Sequence, residues 1–280
     1  MKAYEKQTEA IRACGKELLE AGKVDVVLGY RLGSLDDALI PYFARSGEET
    51  EALEWGDRAF QNLAPYLHGR KDRVAIVAKP CDVRAVVQYI VEKQLERERV
   101  YIIGVDCCGM VDAEGAARPG CDECRVRIPP ICDTHITDER APRDVKIEYG
   151  EDNSPERFQR EIDKCILCYS CRQACYGCYC KTCFVERGMT NWLPPEVDSG
   201  TKKTFHMGRA MHLAGRCVEC GACEAACASG VNLRYIIKEL TGFVEDAYGY
   251  QAGMSLEEKP PLVDYADDDR EIGFLGDDKA

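Results

Sequence analysis

The chain has 280 residues, of which 45% are hydrophobic and 31% are charged, so it is long enough to bury the cores of two domains. Its formal net charge of -12 excludes a nucleic-acid-binding surface, because an acidic protein repels the phosphate backbone. No segment approaches the roughly 20 consecutive apolar residues of a membrane span, and the first residues lack the apolar core of a signal peptide. We therefore expect a cytoplasmic protein with no membrane span and no nucleic-acid partner.

Cysteine is the unusual component of this composition. The chain holds 18 cysteines against 4 histidines. Because disulfides are uncommon in a reducing cytosol, clustered thiols there are typical of metal ligands or redox groups. The cysteine content therefore indicates metal binding.

The first residues alternate between predicted helices and strands. Apolar side chains at helical spacing, among them Ile11 and Leu18, predict an amphipathic helix over residues 2–21. A β-branched run predicts a strand over residues 24–30. Ser34 has the character of an N-cap, which predicts a second helix from there to residue 45.

The most regular pattern is a strand over residues 74–79, a helix over 83–95 and a strand over 100–105. This order predicts a β-α-β unit and hence a parallel pair of strands. In open sheets of this kind, ligands collect beyond the carboxyl ends of the strands. Cys81 and Cys107 both follow such ends, so we expect their thiols at a ligand site.

Two matching cysteine repeats lie in the second half, each with the spacing C-x2-C-x2-C-x3-C. In this spacing the first three thiolates bind one 4Fe-4S cluster and the fourth binds the neighbouring cluster. The sequence therefore predicts two 4Fe-4S clusters. The ligands of one are Cys165, Cys168, Cys171 and Cys227. The ligands of the other are Cys217, Cys220, Cys223 and Cys175.

These repeats resemble the bacterial dicluster ferredoxins, with two departures. Tyr176 and Ala228 stand where those ferredoxins usually carry proline, and the segment between the repeats holds Cys178, Cys180 and Cys183. The three extra cysteines are interpreted either as buried thiols or as ligands of a further metal. A zinc-binding scaffold is the alternative for the repeats themselves, although structural zinc prefers isolated cysteine pairs, often mixed with histidine.

The sequence thus predicts three regions. Residues 1–152 form an α/β domain with a small parallel or mixed sheet, and residues 153–250 form an α-rich, dicluster ferredoxin-like domain. In the second domain we expect a short first helix, a loop around Trp192, a helix over 204–216 and a last helix over 233–248. Residues 251–280 form an acidic C-terminal tail.

Three short motifs lie between residues 74 and 134: KPC at 79–81, IGVDC at 103–107 and GCDEC at 120–124, followed by Pro130 and Asp133. They resemble the beta subunits of deazaflavin (coenzyme F420)-reducing hydrogenases and of related formate dehydrogenases. In that family the cysteines accompany a 4Fe-4S cluster and a flavin, and the subunit passes electrons between clusters and a deazaflavin coenzyme.

The resemblance implies a third 4Fe-4S cluster, with FAD as a further cofactor. Its ligands would be Cys81, Cys107, Cys121 and Cys124, with Cys108 able to replace Cys107. Independently, the start of a helix at Cys81 is expected to favour its thiolate form. A redox-active or zinc-binding loop is the alternative, and no G-x-G-x-x-G fingerprint marks a dinucleotide site.

The residues around the second repeat, HLAGRC at 212–217 and GVNLR at 230–234, resemble the cluster-bearing subunits of heterodisulfide reductase-type complexes. We therefore expect an iron-sulfur electron-transfer subunit of a cytoplasmic anaerobic complex of hydrogenase, formate dehydrogenase or heterodisulfide reductase type, with the other subunits as partners. The alternative is a flavin-containing enzyme that itself reduces or oxidises a deazaflavin or similar soluble coenzyme. No acid-base constellation predicts catalytic residues.

Overall fold

The computed structural model describes residues 2–35, 38–112, 114–121, 123–140, 154–186, 196–261 and 263. Five strands precede most of the helices: β1 (Val26–Leu32), β2 (Leu39–Ala44), β3 (Val74–Ala78), β4 (Val100–Val105) and β5 (Thr134–Ile136). The α-helices of the described residues are α1 (Glu5–Glu20), α2 (Pro80–Val91), α3 (Pro155–Asp163), α4 (Ser170–Gln173), α5 (Ser199–Leu213), α6 (Ala222–Ala225) and α7 (Leu233–Tyr248).

The strands form one mixed sheet in the order β2-β1-β3-β4-β5. β1 and β2 are antiparallel, whereas β1, β3, β4 and β5 pair in parallel. All five residues of β3 are buried, as expected for the central strand of a sheet covered on both faces. The predicted α/β class with a small mixed sheet is confirmed.

The predicted β-α-β unit is also present, as β3, α2 and β4 with β3 and β4 in parallel. Pro80 occupies the first turn of α2, where its missing N–H costs no hydrogen bond. The Asp82 carboxylate accepts a hydrogen bond from the backbone N–H of Lys79 at 3.1 Å, which caps the helix. Cys81 is thereby fixed in the first turn of α2, just beyond the carboxyl end of β3.

The helix predicted from Ser34 to residue 45 is wrong. Residues Leu39–Ala44 form β2, which pairs with β1 from Val27 opposite Ala44 to Leu32 opposite Leu39. Pro41 lies within β2, and because β2 is the edge strand its missing N–H is tolerated there. Pairing across the hairpin therefore outweighs the local N-cap signal.

The second half of the described chain is helical. α5 packs against α3 and α7, and the buried side chains of Phe205, Leu213 and Ile237 lie in small cores that also contain cysteines. The predicted helix over 204–216 begins earlier, at Ser199, because Asp198 accepts a hydrogen bond from the Thr201 N–H at 2.7 Å and caps the helix there. The last helix has the predicted bounds.

Helix α2 joins the sheet domain to the helical region. Arg84 donates to the carbonyl of Ala252 at 2.8 Å, and the Tyr89 hydroxyl donates to the carbonyl of Tyr176 at 2.7 Å. Just after α2, both oxygens of the Glu92 carboxylate accept hydrogen bonds from the Arg216 guanidinium at 2.6 Å. The two regions are thus held by buried polar contacts as well as by apolar packing.

Three sequence expectations lie outside the described residues: the domain boundary near Asn153, the loop around Trp192 and the tail from residue 264 onwards. Strand β5 has only three residues, and no strand is predicted there from the sequence pattern. Among the described helices, none has the length and hydrophobicity required to cross a bilayer.

Replacing Arg216 by methionine should lower the free energy of unfolding by about 3 kcal/mol, because it leaves the mostly buried Glu92 carboxylate without its cationic partner. Urea unfolding followed anaerobically by circular dichroism measures this loss. The control is Arg99→Met, whose exposed pair with Glu96 should contribute less than about 1 kcal/mol. Equal losses in the two variants would contradict a stabilising role for the Glu92–Arg216 pair.

Candidate metal centres

The thiols of the first predicted ligand set lie together at the start of the helical region. Burial raises the pKa of Cys165, and the neighbouring thiols of Cys227 and Cys168 raise it further. Burial likewise raises the pKa of Cys171, which faces both Cys165 and Cys227. Cys168 is exposed at the surface, whereas Cys165 and Cys171 are buried. We call these four thiols group A.

The thiols of the second predicted set also lie together. Burial raises the pKa of Cys217, and the thiols of Cys223, Cys175 and Cys220 add to the rise. Burial raises the pKa of Cys220 to about 11 and that of Cys223 to about 12. We call these four thiols group B. Because iron binds the thiolate, loading either group must release protons.

The fourth cysteine of each repeat lies with the thiols of the other repeat. Cys175 comes from the first repeat but faces Cys217, Cys220 and Cys223. Cys227 comes from the second repeat but faces Cys165 and Cys171. The fold therefore brings the predicted ligands together in the predicted combinations, while ligation itself stays a prediction.

The backbone of both repeats takes the same unusual conformation. Leu167 and Tyr169 have φ values of 55° and 61°, and the corresponding residues Glu219 and Gly221 have values of 56° and 72°. For the three residues with side chains this left-handed conformation is rare and costs on the order of 1–3 kcal/mol each. Its recurrence at equivalent positions indicates a functional constraint on the shape of the loop.

In this conformation a backbone N–H of each repeat donates a hydrogen bond to a cysteine sulfur. The N–H of Leu167 donates to Sγ of Cys165 at 3.3 Å, and the N–H of Glu219 donates to Sγ of Cys217 at 3.4 Å. Donors aimed at a ligand sulfur stabilise its negative charge and tune the potential of a bound cluster. The residues present therefore fit thiolate-ligated iron-sulfur clusters.

In the third predicted set, Cys81 and Cys107 lie just beyond the carboxyl ends of β3 and β4. Cys121 and Cys124 lie in the loop after β4. Burial raises the pKa of Cys107 to about 12, and the thiols of Cys121 and Cys124 contribute to the rise. Cys81 faces both Cys107 and Cys220. The four thiols line one cavity of about 430 Å³. We call Cys81, Cys107, Cys121 and Cys124 group C.

Cys81 corrects one sequence expectation. The start of α2 was expected to favour its thiolate form, but burial and the adjacent Asp82 carboxylate hold the pKa of Cys81 well above its usual value. A compensating cation lies next to it. Nζ of Lys79 is buried and donates to Asp82 Oδ2 at 2.7 Å and to the carbonyl of Gln61 at 2.9 Å. This lysine also lowers the pKa of Cys107.

The remaining cysteines lie apart from group C or beside group B. The Cys108 thiol donates to the carbonyl of Arg140 at 3.4 Å, so the structure favours Cys107 as the group C ligand. Cys132 contacts the backbone of β4 at Gly104. In the segment between the repeats, the Cys178 thiol donates to Cys175 and lowers the pKa of Cys175, whereas Cys180 is exposed.

Groups B and C meet through a close backbone contact. A Cβ atom built on Gly221 would lie 1.8 Å from the carbonyl oxygen of Pro119, and one built on Gly120 would lie 2.7 Å from the carbonyl oxygen of Glu219. Only glycine permits the chain that carries Cys220 to approach the chain that carries Cys121 this closely. The contact sets the distance between the two groups.

The described thiols are not arranged for a single ion. Among the described residues, no three His, Cys, Asp or Glu side chains converge on a position where one metal ion could bind. Four thiolates around one zinc at about 2.3 Å lie only about 3.8 Å apart, whereas a cubane binds each thiolate to a different iron.

Two side chains at the thiol groups have no motif that points to them in the sequence. The Asn62 side chain lies beside Cys220 and lowers its pKa, although burial keeps that pKa high. Arg209 on α5 is 4% exposed and lowers the pKa of Cys171 and Cys223. Neither residue lies within a cysteine motif, so only the tertiary structure identifies them.

Replacing Gly221 by alanine should separate groups B and C, because the new methyl group would overlap the Pro119 carbonyl. We expect a loss of at least half of the bound iron after anaerobic reconstitution, measured by iron and acid-labile sulfide assays. Gly230→Ala is the matched control, since Gly230 also has a positive φ, of 63°, but an added Cβ there meets no atom within 4 Å. An equal loss in both variants would show that backbone strain alone is responsible.

No protein-family model matches the chain. The chain is 24% identical over 361 residues to the F420-dependent formate dehydrogenase subunit beta of Methanocaldococcus jannaschii, a match that covers 90% of this chain and 93% of that protein. It is 33% identical over 116 residues to the F420-dependent formate dehydrogenase 1 subunit beta of Methanococcus maripaludis, covering 38% of this chain and 28% of that protein.

The first match extends along nearly the whole length of both chains, so it includes the segment with the KPC, IGVDC and GCDEC motifs as well as the cysteine repeats. It confirms the resemblance that those motifs predict. The chain is thus similar, along nearly its whole length, to a beta subunit of the F420-dependent formate dehydrogenases.

Proposed function

We propose that the chain is an electron-transfer subunit of an anaerobic oxidoreductase complex, in which three 4Fe-4S clusters form one relay. The observation that supports the proposal is which thiol groups contact one another. Cys223 of group B packs in the same small core as Cys165 and Cys171 of group A. Cys220, also of group B, faces Cys81 of group C. The relay therefore runs from A through B to C.

The two ends of this relay differ in exposure. At the group A end, Cys168 is exposed and the adjacent Ile166 side chain is 60% exposed. At the group C end, the thiols line a cavity of about 430 Å³. Group A is therefore the end at which a partner subunit exchanges electrons, and group C is the end that serves a small molecule.

The bound clusters would supply the one-electron redox chemistry. The chain supplies the rest: four thiols for each cluster, and backbone N–H donors to Cys165 and Cys217. It also fixes the separation of B and C through Gly221. The relatives are named as beta subunits of formate dehydrogenases, which supports an oxidoreductase complex with other subunits as partners.

The alternative, a flavin-containing enzyme that handles a deazaflavin coenzyme, has one observation in its favour. Arg84 and Arg127 line the group C cavity, and three of their buried guanidinium nitrogens have no hydrogen-bond partner in the described structure. A volume of about 430 Å³ falls within the usual range for cofactor sites. Release of a flavin chromophore from the anaerobic protein on acid treatment would favour this activity.

Cys220→Ser should remove the cluster of group B and disturb its neighbour in group C, since Cys220 faces both Cys175 and Cys81. The iron content should fall by about four atoms per chain or more, on the stoichiometry of a cubane. Iron assays and low-temperature EPR of the reduced protein measure the loss. Cys108→Ser, which removes a thiol outside the three groups, should leave both unchanged. An EPR spectrum of Cys220→Ser identical to that of the parent protein would contradict the assignment.

Cys121→Ser should remove about four irons while the signals of groups A and B persist, because Cys121 belongs to group C alone. The matched control is Cys132→Ser. This change removes a thiol from the same segment, but the charged neighbours of that thiol are Asp133 and Asp106. An unchanged iron count in Cys121→Ser would rule out a cluster at group C and leave a two-cluster relay.

A further inference from the structure

Arg209 is a buried cation between two of the thiol groups. It lies on α5, which packs against α3 and α7, and is 4% exposed. Its Nη2 donates to the backbone carbonyl of Cys171 at 3.3 Å, and its Nε has no partner in the described structure. Among the described carboxylates, none forms an ion pair with it. The charge of Arg209 therefore has to be balanced by other groups.

The groups that balance it are cysteines of both repeats. They are Cys175 and Cys223 of group B and Cys171 of group A, together with Cys178 from the segment between the repeats. The negative charge of each raises the pKa of Arg209 against the effect of burial. An isolated cation costs several kcal/mol when it is removed from water. A cluster held by four thiolates carries the negative charge that this site requires.

The nearby histidine does not share this role. His206 lies one turn before Arg209 on α5, and burial together with the charge of Arg209 lowers the pKa of His206 to about 4. The imidazole is therefore neutral at physiological pH. Arg209 is the fixed positive charge on this face of α5.

We propose that Arg209 is a positioning residue for electron transfer, whose charge raises the reduction potentials of the clusters at groups A and B together. Reduction adds one electron, supplied by the redox partner, to an already negative cluster, and a buried fixed cation beside the ligand cysteines would stabilise the added charge. Because Arg209 contacts both groups, it shifts both potentials in the same direction. This inference rests on the proposed function.

The test is a redox titration of the full chain with its clusters in place, followed by EPR. Arg209→Met should change the equilibrium constant for reduction at groups A and B at least tenfold, which is a shift of 59 mV or more to lower potential for a one-electron couple. The group C signal should not move. Arg209→Lys, which keeps the charge, should retain most of the parent potentials.

Lys203→Met is the matched control. It removes a charge from the same helix six residues earlier, about 9 Å along the axis and on a different face. If Arg209→Met does not keep both clusters, Arg209→Gln takes its place with the same expected shift, since its amide can still donate to the Cys171 carbonyl.

Parent potentials in Arg209→Met or Arg209→Gln would overturn the inference, as would equal shifts in Arg209→Lys and Arg209→Met. A shift of the group C signal alone would also overturn it. Absence of 4Fe-4S signals from the parent protein, by contrast, would refute the proposed function and not the placement of Arg209. The two failures are therefore distinguishable.

Discussion

Cys175 and Cys227 each lie with three thiols of the other repeat, so neither group A nor group B is complete until both repeats have folded. This exchange ties two segments that are 41 residues apart in sequence into one unit. Helices α5 and α7 then have to pack around the paired groups. The thiols form part of the small apolar cores of this region, so its packing and its metal sites depend on the same residues.

Burial and charge act in opposite directions on these thiols. Burial raises the pKa of most of them, which disfavours the thiolate that iron requires. The fold opposes this with a small number of fixed donors and cations: backbone N–H groups at Cys165 and Cys217, the Asn62 amide, Lys79 and Arg209. These groups also favour electron acceptance, so the same residues serve metal loading and redox tuning.

The sequence identifies the elements that depend on local pattern. β3, α2 and β4 were predictable because a fully apolar run, a proline in the first turn and a second apolar run follow one another within 32 residues. β2 and β5 were missed, since each forms by pairing with a distant strand and β5 has only three residues. Residue spacing predicted the membership of groups A and B, whereas group C depended on a family resemblance.

What the sequence could not provide was the charge around the thiols. Arg209 lies in KKTFHMGRAMHL, where nothing separates it from a solvent-exposed arginine. Its burial arises from the packing of α5 on α3 and α7. The order of the groups likewise depends on the contact of Gly221 with Pro119, which joins residues about 100 positions apart.

That contact has a consequence for biosynthesis. Val218, Glu219 and Cys220 form one wall of the group C cavity, together with residues of α7, yet they are translated long after Cys81, Cys107, Cys121 and Cys124. As the chain leaves the ribosome, the sheet domain emerges first. The four earlier thiols therefore face open solvent until the last quarter of the polypeptide has folded over them, and this interval is when metal delivery to that site meets the least steric hindrance.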